Sequence, residues 1–416
     1  MNSIITRRIT TVARDRLNET PVLLLEGPRG VGKSTLLSQL ASDLGMPVFD
    51  LDQPTYRQIA QTDPSMATEG EIPVLIDEYQ RAPVLLDMIK ARLNRGTTPG
   101  MFILAGSASY DSLPPGTQAL TGRIQRLPVM PLTQTEIDGS DNDFLARAFM
   151  GDVTHNRTAS KTTRLEYIER VTRGGMPLAL AQRSPAARNR WFEAHVRQSL
   201  ERDAGELRRI GRTTDLRDVL TRTVGQTGNL LNVTKVAQDI SPSWGTVSEY
   251  IELLESLFLV WRLPPWGVTL LPRSVGTPKI HVVDSGLGSH LLRLTLDKMK
   301  RLDPAALTEF GHLLESFVVQ EVVRQATWLD DPVAVGHWRS KEGAEVDLVL
   351  ERYDGAVVAI EIKAGDQVPS KQLAGLQALR DRLGRSFIAG VVCYLGPVSY
   401  QPDDRLHVLP IEQLWA

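Results

Sequence analysis

The sequence predicts an α/β protein of several domains: an N-terminal unit on a parallel sheet, a central helical region, and a second α/β unit at the C-terminus. Three observations carry this prediction. An apolar run at 21–26 enters the segment Gly-Pro-Arg-Gly-Val-Gly-Lys-Ser-Thr at 27–35 and then a helix-forming run over 36–44, the order strand, loop, helix. A second apolar run, 72–76, ends in Asp77-Glu78 and reads as a buried strand. Between 310 and 394 the pattern is helix, three strands, helix, strand. A chain of 416 residues is too long for one ordinary core. The divisions expected are 1–150, 151–225, 226–280 and 281–416.

Composition narrows the class. Hydrophobic content of 42% with 23% charged residues describes a globular chain rather than a disordered one, and a net charge of −2 gives no overall attraction to nucleic acid. Cys393 is the single cysteine, so an internal disulfide and a cysteine-based zinc cluster are both excluded. It sits in an apolar run and reads as a buried strand residue. The first twenty residues lack a signal-type apolar core, and the apolar run 257–261 is far too short to span a membrane. A cytoplasmic protein without a membrane partner is expected.

The segment 27–35 matches G-x-x-x-x-G-K-[ST] in full, with Gly27, Pro28, Arg29, Gly30, Val31, Gly32, Lys33, Ser34 and Thr35 as the cradle. Glycines let the backbone curl so that its N–H groups converge on phosphate oxygens, and the following helix N-terminus favours the same anion. Lys33 is expected to reach the β- and γ-phosphates of ATP, and the Ser34 hydroxyl to bind Mg²⁺. Asp77 would hold that ion through water, and Glu78 would orient or deprotonate the attacking water, the Walker B pattern. A strand at 47–52 ends in further acids, and one at 101–105 ends in Gly106-Ser107-Ala-Ser109.

The Gly-Ser strand tip, Leu120-x-Gly122-Arg123 and the segment Met130-Pro-Leu132 together resemble a family of bacterial and archaeal AAA-type ATPases. In that family the ATPase is joined to a C-terminal domain of formerly unknown function with a nuclease-like pattern. The resemblance implies ATP and Mg²⁺ as ligands. It makes Ser107 or Ser109 the polar residue that positions water at the γ-phosphate, and Arg123 a candidate to sense that phosphate in its own subunit or a neighbour's. A surface arginine paired with a local acid is the alternative for Arg123.

The stretch 138–161 reads as an exposed connection around a short helix at 144–150. From 163 to about 222 the pattern is helical, with Trp191, Val196, Leu200, Leu207 and Ile210 as its apolar stripe. Ser199-Leu-Glu-Arg-Asp203 resembles a segment usual in the same family. Arginines 188, 190, 197, 202, 208, 209, 212, 217 and 222 alternate with acids, which predicts a salt-bridged helical surface more than a DNA or RNA contact. Residues 229–240, a Ser-Pro-Ser-Trp-Gly turn, and 246–261 have the look of a winged helix-turn-helix. The second helix, however, presents Glu249, Glu252 and Glu255, with no lysine or arginine between 241 and 261. Acids repel phosphates, so a packing or oligomerisation module outweighs a DNA reader.

In the C-terminal unit, 281–284 opens a new run, a helix extends to about 300, and an amphipathic helix spans 310–329. Strands follow at 335–339, 344–350 and 357–363, then a helix at 370–383 and a strand at 387–394. This is the core order of the PD-(D/E)XK nuclease-like fold, with Glu315, Asp347, Glu361 and Lys363 at its site positions and Val346 where the motif has proline. Glu361 and Lys363 are two apart on a strand and share a face, and Glu345 shares one with Asp347. Asp347 and Glu361, with Glu315, could share a second Mg²⁺ or a Mn²⁺, and Lys363 could activate a water. Two functions follow. One is an ATPase whose nucleotide cycle controls a nuclease-like domain acting on nucleic acid. The other is an ATP-dependent switch that binds a protein partner or assembles as a homo-oligomer, its nuclease-like domain inactive. A nucleoside kinase shares the loop but needs neither the Asp-Glu strand end nor the later domains.

Overall fold

The structure is a computed structural model and describes residues 5–112, 120, 122–154, 159–207, 213–267, 276–301 and 303–416. Ile210, Arg208, Arg209 and Arg212, named above, lie outside the described residues. Five parallel strands form the N-terminal sheet in the order β2-β3-β4-β1-β5: β1 Val22–Glu26, β2 Val48–Asp50, β3 Val74–Asp77, β4 Phe102–Gly106 and β5 Ile124–Pro128. β1 is apolar without alternation because helices cover both faces. Leu23 and Leu25 join the core under α1 (Ile9–Leu17) and α2 (Lys33–Leu44), while Val22 and Leu24 join the core under α4 (Val84–Arg95). Register puts Glu26 level with Gly106 and Pro128, and Asp77 level with Ala105. The loops that leave β1, β3 and β4 therefore open on one end of the sheet, where α/β sheets bind ligands.

The middle of the chain is helical, with α7 Arg164–Arg173, α9 Pro185–Gln198 and α11 Thr213–Val224 as its long members and a π-helical turn Ser199–Asp203 directly after α9. Next come β6 (Asn229–Leu230), α12 (Val233–Ala237), α13 (Trp244–Ser256), β7 (Val260–Leu263) and β8 (Lys279–Val282), whose strands pair antiparallel in the order β6-β8-β7. Three expectations are corrected here. α12 ends at Ala237, short of Ile240. α13 stops at Ser256 because Phe258 takes a left-handed φ of 56°, and the apolar run beyond it becomes β7 instead of more helix. The run at 281–284 continues β8 of this sheet, and the helix expected to reach about 300 is two short ones, Ser285–Leu291 and Leu296–Lys300.

A long helix, Pro304–Ala326, follows, with Pro304 at its first turn and Asp303 accepting from the N–H groups of Ala305 and Ala306. It packs on a six-stranded sheet of order β13-β14-β12-β11-β10-β9: β9 Val333–Arg339, β10 Glu345–Arg352, β11 Val357–Lys363, β12 Phe387–Tyr394, β13 Tyr400–Asp403 and β14 Leu406–Pro410. β9, β10 and β11 are antiparallel, and β12 runs parallel to β11. The helix Ala374–Leu383 covers the other face, approaching so closely that a Cβ on Gly375 would stand 1.9 Å from the Glu345 carbonyl oxygen.

The units share one core. Trp415, near the C-terminus, packs edge-on against Tyr167 of α7 and Phe317 of the long helix. Among the described residues, no helix is long and apolar enough to cross a membrane.

Candidate functional site

At the open end of the parallel sheet the phosphate loop is held from below. Val129 donates its N–H to the Glu26 carbonyl at 2.7 Å, and a Cβ on Gly27 would stand 2.1 Å from the Val129 oxygen, so only glycine fits. Gly30 and Gly32 take φ of 78° and 96°, which glycine alone adopts without strain. Lys33 opens α2 and is buried, its Nζ donating to the carbonyls of Gly27 and Pro28 at 2.8 Å each. Burial pulls its pKa down to about 8, against the opposing pull of Glu78 and Asp77.

Asp77 accepts a hydrogen bond from the Ser34 side chain, and burial raises its pKa. Glu78, at a left-handed φ of 54°, turns away from the strand axis and accepts from the Ser107 hydroxyl at 3.2 Å and from Gln80 Nε2. Lys33, Ser34, Asp77, Glu78 and Ser107 are thus brought together. Ser109 lies further along, its N–H donating to Ser256 of α13 at 3.0 Å.

Arg123 is not brought to this place. It donates to Asn94 Oδ1 at 2.6 Å, at the start of β5, where Ile124 pairs with Val22 at the opposite end of β1 from Glu26. Four residues of strand separate the two ends, about 13 Å.

Several groups around the loop had no sequence signature. Arg29 makes a bidentate pair with Asp203 of the π-helical turn, at 2.9 and 2.8 Å, joining residues 174 apart in sequence. His195 stacks on Trp191 with ring centroids 5.0 Å apart, and burial lowers its pKa to about 4. Both rings line a cleft of about 470 Å³ together with Lys33, Ser34, Asp52 and Glu78. Arg7 donates to the Val31 carbonyl of the loop at 2.9 Å, to the Met130 carbonyl at 2.7 Å and to Glu136 at 3.0 Å. The resemblance of Ser199–Asp203 to a family segment pointed at that turn, but not at its ion pair with the loop.

In the C-terminal unit Glu315, Asp347, Glu361 and Lys363 also converge, around a residue the sequence reading did not include. Lys279 of β8 sends its ammonium between Glu315 Oε1, at 2.7 Å, and Asp347 Oδ1, at 2.8 Å. Asp347 Oδ2 accepts from the Ile362 N–H at 2.9 Å, and Glu361 accepts from the Asp347 N–H at 3.3 Å and from Lys363 Nζ at 2.5 Å. Burial works against the Lys279 charge, but Asp347 and Glu315 outweigh it and raise its pKa. Burial and the nearby Asp347 charge raise the pKa of both Glu315 and Glu361. Burial pushes Asp347 in the same direction, yet the Lys279 ammonium prevails and lowers its pKa. Glu345 is turned to Arg339 instead, at 2.9 Å. Among the described residues, no three histidine, cysteine or acidic side chains form a group that could hold a metal ion. For the metal expected on Glu315, Asp347 and Glu361 the residues as arranged do not fit, because a lysine ammonium stands among them.

Residues 19–138 match a family described as an AAA domain. Residues 164–298 match a domain of unknown function, DUF8612, which takes in α7 through β8 as one unit, and residues 310–414 match another, DUF4143. Uncharacterized proteins of Mycobacterium tuberculosis and Mycobacterium bovis are each 28% identical over 408 residues, 96% of this chain and 82% of theirs. Among solved structures, a Walker-type ATPase of Pyrococcus abyssi aligns with 70% of this chain and 96% of its own, at 15% identity and a TM-score of 0.39. The Thermotoga maritima RuvB Holliday junction branch migration motor aligns with 61% and 87%, at 21% identity and a TM-score of 0.28. The N-terminal unit is an AAA-type P-loop ATPase domain.

Proposed function

We propose that this protein is a Mg²⁺-dependent ATPase acting as an ATP-driven switch, its nuclease-like C-terminal domain being catalytically silent. The observation that carries the reading is the meeting of Lys33, Ser34, Asp77, Glu78 and Ser107 at one end of the parallel sheet. The donor set fits Mg²⁺-ATP. A buried ammonium hydrogen-bonded to the loop's own carbonyls is ready to turn to phosphate oxygens, and Ser34 and Asp77 offer the hard oxygens that Mg²⁺ prefers. Bound there, the ion would neutralise phosphate charge. Lys33 would pair with the β- and γ-phosphates, and Glu78, oriented by Ser107, would take the proton of the attacking water. Arg123, remote from its own subunit's loop, would act only on a neighbour's in a homo-oligomer.

A physical route leads from this site to the C-terminal domain. The segment 129–135 supports Gly27 at one end. At the other, Leu132 accepts from Arg324 Nη1 at 3.1 Å, and the Gln134 N–H donates to Glu321 at 2.7 Å, both partners on the long helix. Leu132 also donates to the Gly175 carbonyl at 2.8 Å, which ties in the helical region.

The order α11, β6, α12, α13, β7, β8 supports a winged-helix reading of the three-stranded unit. Its second helix is acidic, and Glu255 there pairs with Arg262, so a protein partner suits it better than DNA or RNA. The convergence of Asp347, Glu361 and Lys363 favours the rival reading, a metal-dependent nuclease.

Lys33→Ala should abolish ATP turnover, and undiminished phosphate release by that variant would refute the central reading. Incubation with single- and double-stranded DNA and RNA in Mg²⁺ or Mn²⁺, beside Asp347→Ala, should give no cleavage that depends on Asp347. Cleavage lost on that substitution would establish the nuclease instead.

A further inference from the structure

The carboxylates that converge in the C-terminal domain already enclose a cation, and it comes from another sheet. Lys279 opens β8, which is paired on both sides within the three-stranded sheet. Its side chain crosses to Glu315 on the long helix, 36 residues away in sequence, and to Asp347 on β10, 68 residues away. A divalent ion bound through those same two oxygens would sit about 2.0–2.6 Å from each. That space overlaps the ammonium nitrogen, which stands 2.7 and 2.8 Å from them. The second oxygen of Asp347 and both oxygens of Glu361 are engaged by the N–H of Ile362, the N–H of Asp347 and Lys363.

The two sheets also meet in backbone bonds. His337 of β9 donates its N–H to the Pro264 carbonyl at 2.9 Å, and Trp266 donates to the His337 carbonyl at 2.6 Å, directly beyond β7. A Cβ on Gly336 would stand 2.8 Å from the Pro264 oxygen, so this seam is closely packed.

We propose that Lys279 is the resident cation of the Glu315–Asp347–Glu361 cluster, excluding a divalent ion and fastening the three-stranded sheet to the C-terminal sheet. The inference rests on the reading of the C-terminal domain as catalytically silent. Removing the ammonium leaves the buried Glu315 and Asp347 without the cation that pairs them, which destabilises the fold and opens room for a metal.

The test uses the full chain without nucleotide, in EDTA or with Mn²⁺ added, followed by thermal unfolding and by the electron paramagnetic resonance of free Mn²⁺. Lys279→Met should unfold on the order of 5 °C or more below the wild type in EDTA. Mn²⁺ should restore it, binding on the order of tenfold or more tighter than to the wild type. Lys279→Arg should behave as the wild type. Lys279→Met with Asp347→Asn removes one charge of each sign, so it should recover stability and lose the response to Mn²⁺. Wild-type protein that binds Mn²⁺ as tightly as Lys279→Met overturns the proposal. So does Lys279→Met that folds as well as the wild type in EDTA, or a double variant that fails to fold. Cleavage of nucleic acid that depends on Asp347 in the wild type would instead defeat the reading beneath it.

Discussion

Lys33 should take up a proton when ATP binds in mildly alkaline solution. In the ligand-free protein its ammonium is buried on the loop carbonyls, facing Asp77, Glu78, Arg29 and Asp203, and burial lowers its pKa from 10.5 to about 8. The sign follows from which state holds the proton. Between those two values the unfolded chain binds more protons than the folded one, so stability rises as pH climbs from 8 towards 10.5. Below pH 8 the buried charge costs about 3 kcal/mol, the free-energy equivalent of that shift. ATP phosphates would relieve that cost by pairing with the ammonium, which restores the ordinary lysine pKa and draws in a proton. Titration calorimetry with a non-hydrolysable ATP analogue, in buffers of different ionisation enthalpy, measures the uptake. It should be about half a proton at pH 8 and about nine-tenths at pH 9, and affinity should fall about fivefold between them. Lys33→Arg, charged throughout this range, should show neither trend. Uptake at pH 9 below about two-tenths of a proton, or an affinity unchanged between pH 8 and 9, refutes the argument.

Glu78→Gln should still bind ATP but lower turnover by about 10²–10⁴, as expected for loss of a general base, which paired phosphate-release and nucleotide-binding assays would show. Asp203→Asn should cost about 1–3 kcal/mol of stability in urea unfolding, because it leaves the half-buried Arg29 guanidinium without its charged partner. Arg29→Ala in that background should add little, since the interaction is already lost.

What was legible in the sequence was what is local. The phosphate loop is nine consecutive residues, and Asp77-Glu78 ends an apolar strand, so each motif and its placement can be read without knowing the fold. β10, β11 and β12 are interior strands of the C-terminal sheet, and their apolar runs announce them. β5 and β13 are edge strands, the first partly buried and the second mostly exposed, and Ile-Gln-Arg-Leu-Pro or Tyr-Gln-Pro-Asp offers no such run. The end of α13 was lost for the opposite reason: its apolar pattern continues through Leu257 and Leu259 into β7, and only the left-handed turn at Phe258 breaks it. Arg29 with Asp203, Arg7 with Val31, and Lys279 with Asp347 join distant segments, and no local pattern encodes such pairs.

Those long-range contacts decide what the two halves can exchange. The long helix carries Glu321 and Arg324, both buried, and commits them to the segment that leaves β5: one to the Gln134 N–H, the other to the Leu132 carbonyl. Arg324 also donates to the Val283 carbonyl at 2.6 Å, one residue past β8. A single helix thus holds the segment that supports the phosphate loop and the sheet that supplies Lys279, while its own Glu315 accepts from the Lys279 ammonium. A shift of residues 129–135 on nucleotide binding would have to break charge-assisted bonds to buried groups or carry the long helix with it. Breaking them removes a hydrogen bond from each of two buried charged groups, at a cost of about 1.5–3 kcal/mol apiece. The long helix therefore touches both the segment that supports the phosphate loop and, through Glu315, the Lys279 ammonium.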